Sequence, residues 1–148
     1  MKYKLVYLLA ALISFAACEK RDAIRNGTVD TEIVSPADKA SIAKTDEVEV
    51  EVKFLSEKNL VETAFVKVNV FTAGKEVIEN LESLPIEVGE LIVDFNKTSI
   101  NQSEYVFKQT VDISTYPKGT CFTIFTGATS STKHIVGTEN NGSYFCIE

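Results

Sequence analysis

The chain has no tryptophan, one histidine and one methionine among its 148 residues, and only three prolines and three cysteines. A structural zinc site draws four ligands and a catalytic one three, mainly from His, Cys and carboxylates. With His134 alone, and no Cys-His or Glu-His spacing near it, such a site is not expected. Tryptophan is the strongest aromatic platform for a sugar ring, and here only tyrosine is left for that task. Gly-x-Ser-x-Gly, HExxH and Gly-rich phosphate loops are all absent. Carboxylates abound, but Asp94 and Asp112 earn no weight as an acid–base pair without spatial support. No catalytic residue, cofactor or metal site is expected, and the chain does not read as an enzyme. Internal repeats and low-complexity tracts are missing too. No segment beyond the amino terminus carries a 3.6-residue apolar period.

What is present begins with MKYK, followed by the apolar run LVYLLAALISFAAC. About 13 apolar residues from Leu5 to Ala17 are too few to cross a bilayer core of roughly 30 Å as a helix. A basic start, an apolar middle and small residues before a cut form an export signal. A buried amphipathic helix is a poor alternative, because no polar face recurs along the run. Ser14-Phe15-Ala16 would suit a general signal peptidase. Phe15-Ala16-Ala17-Cys18 instead resembles the lipobox of bacterial lipoproteins, with Phe15 where leucine is commonest. That resemblance implies cleavage before Cys18 and lipidation of its sulfur and new amino group. One acyl chain binds a membrane only marginally, whereas two signals already anchor stably. Glu19, in place of the aspartate that favours inner-membrane retention, implies the outer membrane, with the domain periplasmic or surface-exposed.

Loss of residues 1–17 lowers the 15 basic side chains by two, Lys2 and Lys4, against 21 acidic ones, so the formal charge goes from −6 to −8. Phosphate neutralisation is unavailable to such a chain, and nucleic acid is not an expected partner. Attraction to anionic lipid is excluded on the same ground, so any anchor must be covalent. Residues 18–29 read as the lipidated cysteine and a polar tether. At about 3.3 Å per residue it reaches roughly 35 Å. Residues 30–148 make one domain, long enough to bury a core. Cys121 and Cys146, about 25 positions apart, are candidates for a disulfide in an oxidising compartment. Two buried thiols acting as small hydrophobes are the alternative.

Strand periodicity dominates residues 30–148. In Asp46–Phe54, Val48, Val50, Val52 and Phe54 share one face, while Glu47, Glu49, Glu51 and Lys53 share the other. The acidic stripe is simplest as a solvated face, since side chains along one strand do not converge on a cation. Ala64–Phe71 repeats the pattern, and Glu76–Ile78 is expected to return as a short strand after Gly74. Residues 81–90, broken by Pro85 and Gly89, read as an irregular crossing. Further strands are expected over Leu91–Phe95, Tyr105–Ile113, Thr120–Thr126, Lys133–Val136 and Ser143–Ile147. Asn140-Asn141-Gly142 is read as the turn joining the last two, and Tyr116-Pro117-Lys118-Gly119 as another turn. Tyr116 is the one tyrosine placed in a loop and is the candidate for ligand binding. Asn26, Asn96, Asn101 and Asn141 head Asn-x-Ser/Thr triplets, which are acceptors in a eukaryotic secreted protein and chance in a bacterial one.

About seven strands at regular spacing predict an all-β, antiparallel two-sheet sandwich. SPADKASIAKTDEVEVEVKF (35–54) and VDISTYPKGTCFTIFTGATSS (111–131) resemble bacterial immunoglobulin-like domains, with a proline-led loop before the second strand and an x-Pro-x-Gly corner later. Gly127-Ala128-Thr129-Ser130 stands where relatives often carry Ala-x-Asp, so the acidic residue some of them offer to calcium is missing. The tryptophan of antibody-type domains is missing too. Together with the lipobox, the chain resembles small immunoglobulin-like lipoproteins of the Bacteroidetes. That resemblance implies a membrane-anchored, non-catalytic binding or assembly module for an envelope protein. The alternatives are a glycan-binding accessory lipoprotein of a polysaccharide-uptake system and a secreted, non-lipidated protein.

Overall fold

A computed structural model describes residues 29–57, 59–71, 73–82, 89–130 and 141–148. Cys18, the export signal, Asn26, Pro85, His134 and the strand expected over 133–136 lie outside the described residues. Among the described residues, eight strands and one short helix follow in order: β1 (Asp30–Ser35), β2 (Ala40–Ile42), β3 (Glu47–Leu55), β4 (Val61–Phe71), α1 (Lys75–Glu79), β5 (Leu91–Lys97), β6 (Glu104–Asp112), β7 (Cys121–Ser130) and β8 (Asn141–Ile147). They form two facing sheets, one ordered β1-β3-β6 and the other β2-β8-β7-β4-β5. This is an immunoglobulin-like sandwich.

Alternation built the first sheet as expected. Val50, Val52 and Phe54 are fully buried, while Glu47 and Glu49 face water. Across the ladder, β6 adds Phe107, Val111 and the following Ile113 to the same core. On the wet face Lys108 sits 2.9 Å from Glu49 and 3.2 Å from Glu51, so the acidic stripe is partly neutralised by its neighbour strand. In the second sheet, β7 is central, flanked by β4 and β8. Its residues are buried on both faces, with Thr129 the exception. Phe122, Ile124 and Ala128 point into the sandwich, where Phe122 stacks on Phe145 at 4.9 Å between ring centroids. The side of the sandwich between β5 and β6 is closed by Phe95, whose ring lies 4.5 Å from Phe107 and 6.2 Å from Tyr105.

Three expectations are corrected. Glu76–Ile78 is not a strand but part of α1. Its apolar pair is not alternating: Ile78 alone is buried, while Val77 is exposed. Ile78 packs with Phe71, Cys121, Tyr144 and Cys146 on the outer face of the larger sheet, and one helical turn suffices to deliver it there. Asn141-Gly142 is not a turn either. Both residues belong to β8, opposite Thr126 and Phe125, so the long β7–β8 ladder overrides the local turn preference. Finally, the sheets are not wholly antiparallel. After Ser35 the chain leaves the first sheet at a cis Ser35–Pro36 bond, and β2 joins the second sheet parallel to β8. Neither β1 nor β2 falls on an expected strand.

Cys121 and Cys146 are bridged, with an S–S distance of 2.05 Å. They stand directly opposite one another in β7 and β8, with Cα atoms 4.0 Å apart. The flanking bond from Ile147 N–H to Thr120 C=O makes theirs a non-hydrogen-bonded pair, the closer of the two antiparallel spacings. The bridge thus lies within one sheet, under α1. Antibody domains instead link their two sheets through the core.

Candidate functional site

Ile113 ends the run of core residues begun in β6, and the chain must then cross to β7 in the other sheet. It does so through Ser114–Thr120, where Tyr116 N–H bonds to Ile113 C=O at 3.1 Å and Thr120 N–H to Pro117 C=O at 3.2 Å. Lys44 pins this loop from below: its ammonium donates to Ser114 C=O at 2.7 Å and to Tyr116 C=O. The Tyr116 ring is half-buried and meets Phe122 edge-on at 5.2 Å. The expected loop position of Tyr116 is therefore correct, but the ring is anchored to the core.

Opposite Tyr116 runs the approach to β5. Val70 N–H bonds to Glu90 C=O at 2.8 Å, drawing that segment against β4. A β-carbon on Gly89 would fall 1.8 Å from Val70 O, so only glycine lets the chain pass this close. Glu90 is thereby set beside Tyr116, whose hydroxyl donates to Glu90 Oε2 at 3.2 Å. Burial first, and this bond second, hold the Tyr116 phenol protonated above its ordinary range.

Between these segments opens a cleft of about 480 Å³, floored by Val70 and Phe71 and walled by Tyr116, Pro117, Glu90 and Lys118. That volume is in the range of small-molecule sites, roughly 300–1,000 Å³. Its lining includes one acidic and one basic residue, Glu90 and Lys118, so a ligand with both donors and acceptors is matched better than an ion. A smaller hollow of about 210 Å³ lies between α1 and the turn before β2, lined by Asp38, Lys39, Ile78 and Tyr144 among others.

Of the candidate site residues that are described, only Tyr116 lines this cleft. Asp94 stands on β5 opposite Lys67, whereas Asp112 is at the end of β6 in the other sheet, its Oδ1 accepting Ser114 N–H at 2.9 Å. They form no pair. Asn96 and Asn101 are exposed near the β5–β6 connection. Among the described residues no three His, Cys, Asp or Glu side chains gather into a metal site, and no helix is long and apolar enough to cross a membrane. Glu90 and Lys118 were missed. TYPKG signals a turn, but nothing in the sequence marks Glu90, 26 positions away, as its neighbour.

No protein-family model matches the chain, and no curated protein matches it. Solved structures resemble it at low identity. A β-glucosidase from Listeria innocua, in complex with glucose, is 11% identical with a TM-score of 0.46. The match covers 80% of this chain and 16% of that one. The chain thus corresponds to about a sixth of that enzyme's length. The complex of zinc 2-glycoprotein and prolactin inducible protein from human seminal plasma matches at 8% identity and a TM-score of 0.48, covering 82% of this chain and 94% of the other. A Niemann-Pick type C2 protein from the Japanese carpenter ant matches at 12% identity and a TM-score of 0.38, covering 81% and 89%.

Proposed function

We propose that this chain is a non-catalytic binding module, tethered to the outer membrane through a lipidated Cys18, that engages a protein partner of the cell envelope through the Tyr116 cleft. The observation carrying this reading is the Tyr116–Glu90 contact: two loops at one end of a rigid sandwich hold an aromatic ring and a carboxylate at the mouth of an open cleft. Recognition favours loops fixed by a scaffold. A partner side chain entering between Val70 and Tyr116 would meet an apolar floor with a carboxylate and an ammonium at its rim.

Crosslinking in intact cells tests it. A specific band is expected to co-purify with the chain and to disappear with Tyr116→Ala, and an empty lane for the unaltered chain would count against the reading. The anchor has its own test. Cys18→Ala is expected to leave unprocessed or soluble protein, and unchanged membrane retention would refute lipidation.

A glycan is the second reading, favoured by the same ring. Sugars stack on tyrosine, and the Glu90–Lys118 rim supplies an acceptor and a donor for hydroxyls. Retention on a polysaccharide gel, lost with Tyr116→Ala, distinguishes it from a protein partner.

A further inference from the structure

Strand β6 is paired along its whole length with β3 and, among the described residues, has no partner on its other side. Which of its groups face outward follows from the ends of the ladder. Ser56 N–H donates to Ser103 C=O at 2.8 Å, and Ile113 N–H donates to Asp46 C=O at 2.9 Å. Hydrogen-bonded pairs alternate in an antiparallel ladder. The odd-numbered residues of β6 therefore bond to β3, while Glu104, Val106, Lys108 and Thr110 turn their N–H and C=O groups to the open edge. An edge of this kind is a template for another strand. Val106 also exposes 42% of its surface, among the largest exposures of any apolar residue described.

We propose that two copies of the chain pair through β6, antiparallel, on a two-fold axis at Val106. In that register Val106 exchanges both backbone bonds with its copy and covers its side chain. Glu104 then lies opposite Lys108 of the second copy, twice over by symmetry. Opposite charges across a strand pair stabilise it, and like charges destabilise it. A two-fold axis at Lys108 would set Lys108 against Lys108 and Glu104 against Asp112. An axis at Thr110 would match Lys108 with Asp112, but it leaves Val106 in water. The paired stretch is the end of β6 remote from the Tyr116 loop, so the cleft stays free and this inference does not rest on the proposed function.

Sedimentation velocity of the full chain over a concentration series tests it. A dimer that dissociates on dilution is expected, and a monomer throughout overturns the proposal. Val106→Pro removes an N–H that serves only the open edge, where proline is tolerated. Loss of two bonds should weaken dimerisation roughly tenfold or more, and an unchanged dimer overturns the proposal. Should that variant fail to fold by circular dichroism, Glu104→Lys sets lysine against Lys108 at an exposed position and is expected to weaken the dimer too. Val106→Cys should yield a disulfide-linked dimer on oxidation. Crosslinking by Thr110→Cys in its place overturns the Val106 register.

Discussion

The ring of Phe65 lies across Gly127, its directly opposed neighbour in the β4–β7 ladder. A β-carbon on Gly127 would sit 2.4 Å from Phe65 Cε1 and 2.8 Å from Cζ. Glycine inside a strand weakens it, and an aromatic ring laid over the gap restores packing and excludes water. Gly127→Ala should therefore destabilise the domain by about 1–3 kcal/mol, the usual penalty of overpacking. Chemical denaturation of the single variants and of Phe65→Ala/Gly127→Ala checks this. The double variant should lose less than the sum of its parts, and strict additivity would show that the ring and the glycine are not coupled.

The Cys121–Cys146 bridge closes a loop of 25 positions. In the chain-entropy model such a loop is worth about 3 kcal/mol. Cys121→Ala/Cys146→Ala should lower the denaturation midpoint by a corresponding amount. A reducing agent should reproduce the loss slowly, because both cysteines are buried beneath α1.

Thr126 is fully buried, and its hydroxyl has no hydrogen-bond partner among the described residues. A valine of the same shape removes the unmet polar group without opening a cavity. Thr126→Val should raise stability by about 1 kcal/mol, read as a higher melting temperature. A lower one would mean that the hydroxyl is satisfied by water.

Tyr116 titrates above its ordinary value of 10.0 because burial, and then Glu90, favour the neutral phenol. A folded-state pKa above the unfolded one means that its contribution to stability is complete below the unfolded value. That contribution is lost as pH rises through the folded value. Alkaline spectrophotometric titration, with Tyr116→Phe as the subtraction, should show Tyr116 titrating late, and Glu90→Gln should move it earlier.

At the carboxy terminus Glu148 is held below the ordinary carboxylate range, chiefly by its hydrogen bond with Ser41 and then by Lys75, whose Nζ lies 3.0 Å away. The sign is opposite here. Stability from this group is present above the unfolded pKa and is lost as pH falls through the folded one. Glu148→Gln should flatten that part of the acid limb in a series of thermal melts, an effect reduced by salt because the pair is exposed.

How much was legible depends on the range of the cause. Val48, Val50, Val52 and Phe54 announce a strand because alternation is a local consequence of the pleat, and no partner need be known to read it. The same holds for the Tyr116–Gly119 turn. Strand propensity at Val77-Ile78 misled, because burial of Ile78 is decided by Phe71, Tyr144 and the cysteine pair on another element. Asn141-Gly142 misled for a similar reason: β7 supplies a partner strand, and ladder bonds outweigh a turn preference of two residues.

By itself the sequence determined the fold class, the wet and buried faces of its strands, and the loop that carries Tyr116. These follow from side-chain chemistry repeated at a backbone period. Only the tertiary structure decided that β2 crosses to lie parallel to β8, that Cys121 meets Cys146 within one sheet, and that Glu90 comes to Tyr116. Each of these joins residues far apart in the chain. Their proximity is set by which strands pair, and strand pairing is a property of the whole sandwich.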